Sequence, residues 1–234
     1  MSTLPETNAS TDPAVGANIA ASLGRIRAAV PAGVTLIAVS KTRTVDEIRA
    51  AMQAGQIDFG ENYAQELRDK AELLQGARWH FIGALQRNKV KYVVGRASLI
   101  HDVDSLALAE EIGKRSLPRK TGVLVGVNFG EEQKSGVPAG EALALAESLT
   151  KVEGIALRGL MAIPPPAEDP EASAPYFEQL ASLAAQGRAK GLPLTELSMG
   201  MSHDWHVAVR YGATLVRVGT AIFGSRPPKN PVSG

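Results

Sequence analysis

Two patterns of apolar and polar residues alternate along the chain. Short β-branched runs, which predict buried strands, are separated by longer segments with apolar residues at every third or fourth position, which predict amphipathic helices. The predicted strands cover residues 34–40, 57–60, 79–83, 99–103, 122–128, 157–163, 196–199 and 215–218. The predicted helices cover residues 17–29, 45–54, 63–74, 87–94, 105–115, 140–151, 171–190 and 203–211.

The order of these elements predicts an α/β fold. A helix comes first, and eight strands then alternate with helices, as in parallel sheets with crossover helices. A doubly wound open sheet would show the same alternation, but eight units favour a single (β/α)8 TIM-like barrel with an extra N-terminal helix. We expect a mobile N-terminal tail over residues 1–14, the barrel over 15–226 and a C-terminal tail over 227–234.

Composition and charge narrow the classes of partner. The 234 residues are 44% hydrophobic and 21% charged, which is typical of a globular protein. The net charge is +1 and only 5% of residues are aromatic, so neither nucleic acid nor an anionic membrane is an expected partner. The start of the chain lacks the pattern of a signal peptide. The sequence contains no cysteine, which excludes thiolate chemistry and is compatible with the cytoplasmic location that we expect.

In a barrel, the residues at the C-terminal ends of the strands form the active or binding site. Lys41 directly follows the first predicted strand, so its ammonium group would project into the barrel mouth. Burial there would lower the pKa of the amine and make it a nucleophile suited to an aldehyde. A lysine that simply extends into solvent is the alternative that this residue alone leaves open.

Two loops rich in small residues follow the last two predicted strands. The first contains Gly200 and Ser202, and the second contains Gly219 and Thr220. Backbone N–H groups at such turns can bind a phosphate, and barrels often use the loops after strands seven and eight for this purpose. Glycine turns selected for tight packing would give the same sequence.

The histidines do not predict a metal site. His203 and His206 have a metal-like spacing but lack a third good ligand, so we expect no metal there. His80 and His101 lie within predicted strands and are expected in the core or at the barrel rim. No serine has an evident base, so a hydrolase triad is not expected.

Six motifs resemble those of the pyridoxal phosphate homeostasis protein family. In order along the chain they are AVSKT at 38–42, FGENY at 59–63, WHFIG at 79–83 followed by Leu85 and Gln86, GLM at 159–161, LSMGMS at 197–202 and RVGTAIFG at 217–224. The similarity covers residues 17 to 226. Ala84 departs from the family pattern, in which histidine or proline is common, and this affects only the local rim.

The resemblance implies a barrel like the N-terminal domain of alanine racemase that binds pyridoxal 5′-phosphate. By this resemblance, Lys41 forms the internal aldimine with the cofactor, and Arg217 approaches the pyridine nitrogen. The family positions for the phosphate are Ser202, Gly219 and Thr220, and those that line the pocket are Asn62 and Met161.

The expected function is binding of pyridoxal phosphate in its homeostasis, as a buffer, carrier or regulator, without robust catalysis. An arginine beside the ring nitrogen weakens carbanion chemistry, and the second acid/base domain of the racemases is not expected here. PLP-dependent apoenzymes are candidate partners, and we expect a monomer. The alternative is a low-efficiency fold-type III enzyme such as an amino-acid racemase.

Overall fold

Eight parallel strands form a closed barrel in the computed structural model, which describes residues 13–130 and 135–225. The strands of the barrel are β1 (Thr35–Val39), β2 (Asp58–Glu61), β3 (Arg78–Phe81), β4 (Ala97–Val103), β5 (Thr121–Asn128), β6 (Ile155–Ala162), β7 (Glu196–Met201) and β8 (Leu215–Val218). Each strand pairs with its neighbour in sequence, β8 pairs with β1, and pairing of β4 with β5 completes the ring. The prediction of a (β/α)8 barrel is therefore confirmed, and the open sheet is excluded.

Helices pack around the outside of the barrel and connect the strands. They are α1 (Pro13–Ala29), α2 (Val45–Gln53), α3 (Ala64–Leu73), α4 (Val90–Val93), α5 (Leu106–Ser116), α6 (Ala142–Leu149), α7 (Ala174–Ala189), α8 (Trp205–Arg210) and α9 (Thr220–Phe223). Short 3₁₀ turns cover Arg87–Lys89, Ala139–Glu141 and Pro170–Ser173, and Val137–Pro138 forms a two-residue strand beside β5.

Local sequence explains where several helices begin. At the start of α2, the Thr44 hydroxyl accepts the Glu47 N–H while the Glu47 carboxylate accepts the Thr44 N–H, which forms a capping box. Ser105 caps α5 by accepting the Leu108 N–H. These caps fix the points at which the chain leaves the C-terminal ends of β1 and β4.

The core consists of two apolar layers. The larger layer lies between the barrel and its helices and includes Phe59, Phe81 and Phe177, all of them buried. The smaller layer fills the interior of the barrel, with Ile37, Leu99, Leu124, Met161 and Leu215 as its buried members. The interior also contains charged and polar side chains, so apolar packing fills only part of it.

The ends of the chain extend beyond the described residues. Helix α1 begins at Pro13, four residues before the predicted helix and within the predicted tail. Residues 1–12, 131–134 and 226–234 lie outside the described part, and the two tails remain predictions. Among the residues that the structure describes, no helix has the length and apolar character needed to cross a bilayer.

Candidate functional site

A cavity of about 710 Å³ opens at the C-terminal ends of the barrel strands, where the sequence predicted a site. Six of its lining residues are residues of the predicted site. The full lining is Val39, Lys41, Asn62, Ile82, Ile163, Met201, Ser202, His203, Arg217, Gly219 and Thr220. The structure thus brings together six of the seven predicted site residues, and Met161 is the exception.

Lys41 occupies a tight turn that immediately follows β1. The next residue, Thr42, has a φ of 64°, a left-handed conformation that is costly for a β-branched residue. The Thr42 N–H donates a hydrogen bond of 2.9 Å to Glu66 Oε2 on α3. This bond holds the turn in place, so the backbone of Lys41 is fixed at the mouth of the barrel.

A buried network on the outer side of β1 and β2 supports the same turn. Lys70 Nζ of α3 donates to the Ser40 carbonyl, to Glu61 Oε1 and to Glu66 Oε2, each at 2.8 Å. The Ser40 hydroxyl donates to Glu61 Oε1 at 2.7 Å. Burial raises the pKa of Glu61 to about 6 despite the nearby Lys70 charge and the Ser40 hydrogen bond.

Arg217 of β8 lies almost fully buried beneath the cavity. Its guanidinium donates to the Ala162 carbonyl at 2.9 Å and to the Ser198 hydroxyl. Burial lowers the pKa of Arg217 to about 10, while the charges of Asp204 and Asp102 act in the opposite direction. The side chain therefore remains protonated at neutral pH and places a fixed positive charge under the cavity.

The loops after β7 and β8 lie side by side at the other end of the cavity. Ser202 Oγ accepts the Gly219 N–H at 3.0 Å, which joins the two loops. Thr220 begins α9, so its N–H precedes the first bond within that helix, from the Ile222 N–H to the Gly219 carbonyl. Hydroxyl and backbone donors thus lie together in this corner.

Glycine is required where the first of these loops turns. Gly200 has a φ of 88°, and a Cβ at this position would lie 2.7 Å from the Ala208 Cβ and 2.8 Å from the Trp205 Cα. The Asp204 carboxylate then secures the loop by accepting the Met201 N–H at 2.7 Å. The tight turn at Gly200 and the hydrogen bond to Asp204 together hold Ser202 near the cavity.

Asn62 and Met161 differ in their relation to the cavity. Asn62 lines it, and its buried Oδ1 finds no hydrogen-bond partner among the described residues, which leaves an acceptor for a ligand. Met161 lies deeper, in the interior apolar layer, and lines a neighbouring cavity of about 480 Å³ with Asp102. Ile163 borders both cavities, so Met161 lies one side chain away from the main site.

Sequence reasoning missed several side chains of the cavity. Val39, Ile82 and Ile163 give it an apolar wall, which the strand pattern could have indicated because each lies at or just beyond a strand end. His203 lies at the exposed rim, where its Nε2 is 2.7 Å from the Glu168 carbonyl oxygen. No signal in the sequence separated His203 from an ordinary residue at the start of a helix.

The fold and the site define a class of protein: a single α/β barrel with a lysine, a buried arginine and two small-residue loops at its mouth. The family model for the N-terminal domain of alanine racemase matches residues 16–227. Within this class, the chain belongs to the pyridoxal phosphate homeostasis protein family, because relatives described by that name match most of the chain at more than 40% identity.

Two curated relatives and one solved structure support this assignment. The relative from Aquifex aeolicus is 44% identical, over 82% of this chain and 86% of the relative. The relative from Pseudomonas aeruginosa is 41% identical, over 94% and 99%. Both are described as pyridoxal phosphate homeostasis proteins. The structure of PipY from Synechococcus elongatus with PLP bound has a TM-score of 0.82 and 40% identity, over 88% of this chain and all of PipY.

Proposed function

We propose that this protein binds pyridoxal 5′-phosphate as a Schiff base on Lys41 and acts in the homeostasis of this cofactor. The observation that carries the proposal is that Lys41, Arg217 and the two small-residue loops line one cavity. The similarity to relatives described as homeostasis proteins, and to a structure with PLP bound, supports the same function.

The side chains around the cavity fit the parts of this cofactor. Pyridoxal phosphate supplies a reactive aldehyde and an electron-withdrawing ring. The Lys41 amine would condense with the aldehyde and release water. The apolar wall of Val39, Ile82 and Ile163 would contact the ring, and the unpartnered Asn62 oxygen would accept a hydrogen bond from the hydroxyl group on that ring.

The corner formed by the two joined loops would bind the phosphate. Ser202 and Thr220 supply hydroxyls there, and the first turn of α9 supplies backbone N–H groups. Glycine at position 219 also lets the loop after β8 pass close to β1, since a Cβ there would lie 3.3 Å from the Val39 Cβ. In this arrangement the covalent and the phosphate anchors are separate.

Arg217 favours a binding role over robust catalysis. Its buried guanidinium can only donate hydrogen bonds, so beside the ring nitrogen it would oppose protonation of that nitrogen. The ring would then be a poorer electron sink. We propose that the open cavity stores the cofactor, which PLP-dependent apoenzymes then receive, and that the protein acts as a monomer.

The first test is the near-visible absorbance spectrum of the purified protein with pyridoxal 5′-phosphate. We expect a yellow protein in which borohydride reduction attaches the cofactor at Lys41, as shown by peptide mass mapping. Lys114→Ala, at an exposed position on α5, is the control and should retain the adduct. A wild-type protein that takes up no cofactor, or an adduct spread over many lysines, would overturn the proposal.

A weak amino-acid racemase is the second candidate function, and the rim histidine is the observation in its favour. His203 lines the cavity and could exchange a proton, whereas none of the tyrosines in the described residues lines it. An enzyme must exchange the α-hydrogen of some amino acid for deuterium faster than free cofactor does. Exchange that is lost in His203→Gln would favour the enzyme, and no exchange with any amino acid of a broad panel would exclude it.

A further inference from the structure

Hydrogen-bonded polar side chains cross the interior of the barrel from the cavity toward its opposite end. Arg217 donates to the Ser198 hydroxyl, and Ser198 Oγ lies 2.8 Å from His101 Nδ1. His101 Nε2 is 3.0 Å from His80 Nδ1, and His80 Nε2 is 2.9 Å from Asp58 Oδ1. We call these five residues the interior chain.

The interior chain is buried along its whole length. Its members are between 0% and 7% exposed and come from five strands: Asp58 from β2, His80 from β3, His101 from β4, Ser198 from β7 and Arg217 from β8. Asp58 is the first residue of its strand, so the chain ends near the N-terminal face of the barrel. There Arg78 pairs with Asp58 at 2.5 and 2.7 Å.

The donor and acceptor capacities give the interior chain a single direction. Arginine only donates, so Ser198 must accept from Arg217, and its own hydrogen is then free for His101 Nδ1. His101 consequently has its proton on Nε2 and donates to His80 Nδ1. His80 in turn has its proton on Nε2 and donates to the Asp58 carboxylate. Every polar hydrogen between the two ends has an acceptor.

A charged His80 is the competing arrangement. It would donate from both ring nitrogens, and His101 would then have to donate from Nδ1 to Ser198. The Ser198 hydroxyl would accept twice, and its hydrogen would have no acceptor among the described residues. A second buried cation would also join Arg217, with Asp58 as the single anion of the chain, and such a charge is costly.

The charges at the two ends agree with the first arrangement. Burial acts to raise the pKa of Asp58, but its hydrogen bonds to His80 and Arg78 outweigh this and hold the pKa below its usual value. Burial, together with the nearby His80 and Arg217, keeps the pKa of His101 well below its usual value. His101 is therefore neutral, and the interior chain runs from a cationic end to an anionic end.

We propose that His80 and His101 are positioning residues that hold the Arg217 guanidinium in one orientation under the cofactor cavity. The Ala162 carbonyl fixes one side of the guanidinium, and the interior chain fixes the other. The inference rests on the proposed function only in taking the cofactor ring as the group that Arg217 faces. The direction of the hydrogen bonds in the interior chain does not depend on the cofactor.

The first test measures the histidine tautomers by ¹⁵N NMR at neutral pH, without added cofactor. We expect both His80 and His101 to be neutral, with the proton on Nε2. A doubly protonated His80, or a proton on Nδ1 of His101, would overturn the proposed direction. This measurement does not depend on pyridoxal phosphate, so it stands even where the proposed function fails.

The second test compares His101→Gln with His101→Met. The two side chains are similar in size, but only glutamine can accept from Ser198 and donate to His80. We expect His101→Met to raise the Kd for pyridoxal 5′-phosphate about tenfold, the effect of one lost hydrogen bond to a charge network. It should also shift the absorption band of the bound cofactor, while His101→Gln restores both values to near wild type.

Leu124→Val is the matched control, because Leu124 is buried in the same interior layer and contributes only apolar packing. It should lower stability without changing the Kd or the absorption band. Equal effects of methionine and glutamine at position 101 would overturn the positioning role. Expected tautomers in a wild-type protein that binds no cofactor would instead mean that the proposed function is wrong.

Discussion

Glu61 is a buried acid that accepts a hydrogen bond from Ser40, the residue before Lys41, and it predicts a dependence of stability on pH. Its pKa is about 6 in the folded protein, against 4.5 for the free side chain. Between these values the folded state binds more protons than the unfolded state, so the contribution of Glu61 is present below pH 4.5 and is lost as pH rises through 6. The loss amounts to about 2 kcal/mol.

Glu61→Gln removes this titration and serves as the comparison. Urea unfolding of both proteins between pH 4 and 7 should show that the wild type loses about 2 kcal/mol relative to the variant as pH rises. Other titrating groups are common to both chains and cancel in the difference. A difference that stays constant with pH would show that the pKa of Glu61 is the same in the folded and unfolded states.

The hydroxyls of Ser202 and Thr220 should act separately from Lys41. Ser202→Ala or Thr220→Val is expected to raise the Kd for pyridoxal 5′-phosphate by about tenfold, since each removes one hydrogen bond to a charged group. Both should still form the borohydride-reducible adduct. Lys41→Ala should lose the adduct and retain weaker, non-covalent binding, as measured by equilibrium dialysis.

Ser182→Ala is the control for these variants, because Ser182 is exposed on α7, where its hydroxyl accepts a hydrogen bond from Gln186. It should bind like the wild type. Complete loss of binding in Lys41→Ala, Ser202→Ala and Thr220→Val alike would contradict separate anchors.

At the scale of the elements, two helical glycines should respond oppositely to alanine. Gly24 of α1 is exposed, and a Cβ there meets nothing within 4 Å, so Gly24→Ala should raise the free energy of unfolding by about 0.5–1 kcal/mol. At Gly113 of α5 a Cβ would lie 2.2 Å from the Glu153 carbonyl oxygen. Gly113→Ala should therefore lower it by about 1–3 kcal/mol.

Thermal unfolding of the two variants beside the wild type checks this pair. The wild type is the common reference, and the replacement of glycine by alanine gives both helices the same gain in helix propensity. If both variants were stabilised, α5 would not approach the turn before β6 as closely as the structure shows.

The elements were predictable where their pattern is local. All eight barrel strands follow from short apolar runs, and Lys41 follows from its place after β1. Helix α8 begins at Trp205, two residues later than predicted, because His203 and Asp204 belong to the loop that Asp204 secures. The strand Val137–Pro138 gave no signal, since two residues form no periodic pattern.

At the scale of the whole molecule, contacts between distant strands decided what the sequence could not show. His80 and His101 were expected in the core or at the rim, and they are buried in the core. Their connection to Ser198 and Arg217 joins residues nearly a hundred positions apart, as in the 97-residue separation of His101 and Ser198. Closure of the barrel creates that contact, and closure is a property of the pairing between β8 and β1 and between β4 and β5.

This closure predicts that the cofactor stabilises the whole barrel. The cavity combines Lys41 after β1 with Gly219 and Thr220 after β8, and Ile37 pairs with Arg217 where these strands meet. The ligand therefore binds only when both ends of the barrel are joined. At a concentration 100-fold above Kd, pyridoxal 5′-phosphate should add about 2.7 kcal/mol and raise the Tm by about 5–10 °C.

Lys41→Ala should show a smaller rise in Tm at the same cofactor concentration, because its Kd is higher, whereas Lys114→Ala should match the wild type. Cofactor adducts on lysines of the unfolded chain would reduce the stabilisation. Lys41→Ala and Lys114→Ala each lack one lysine, so this effect is almost the same in the two variants. An equal rise in Lys41→Ala and the wild type would place the binding energy entirely in the phosphate corner and the ring contacts. No rise in any of the three proteins would mean that the folded barrel does not select the cofactor over the unfolded chain.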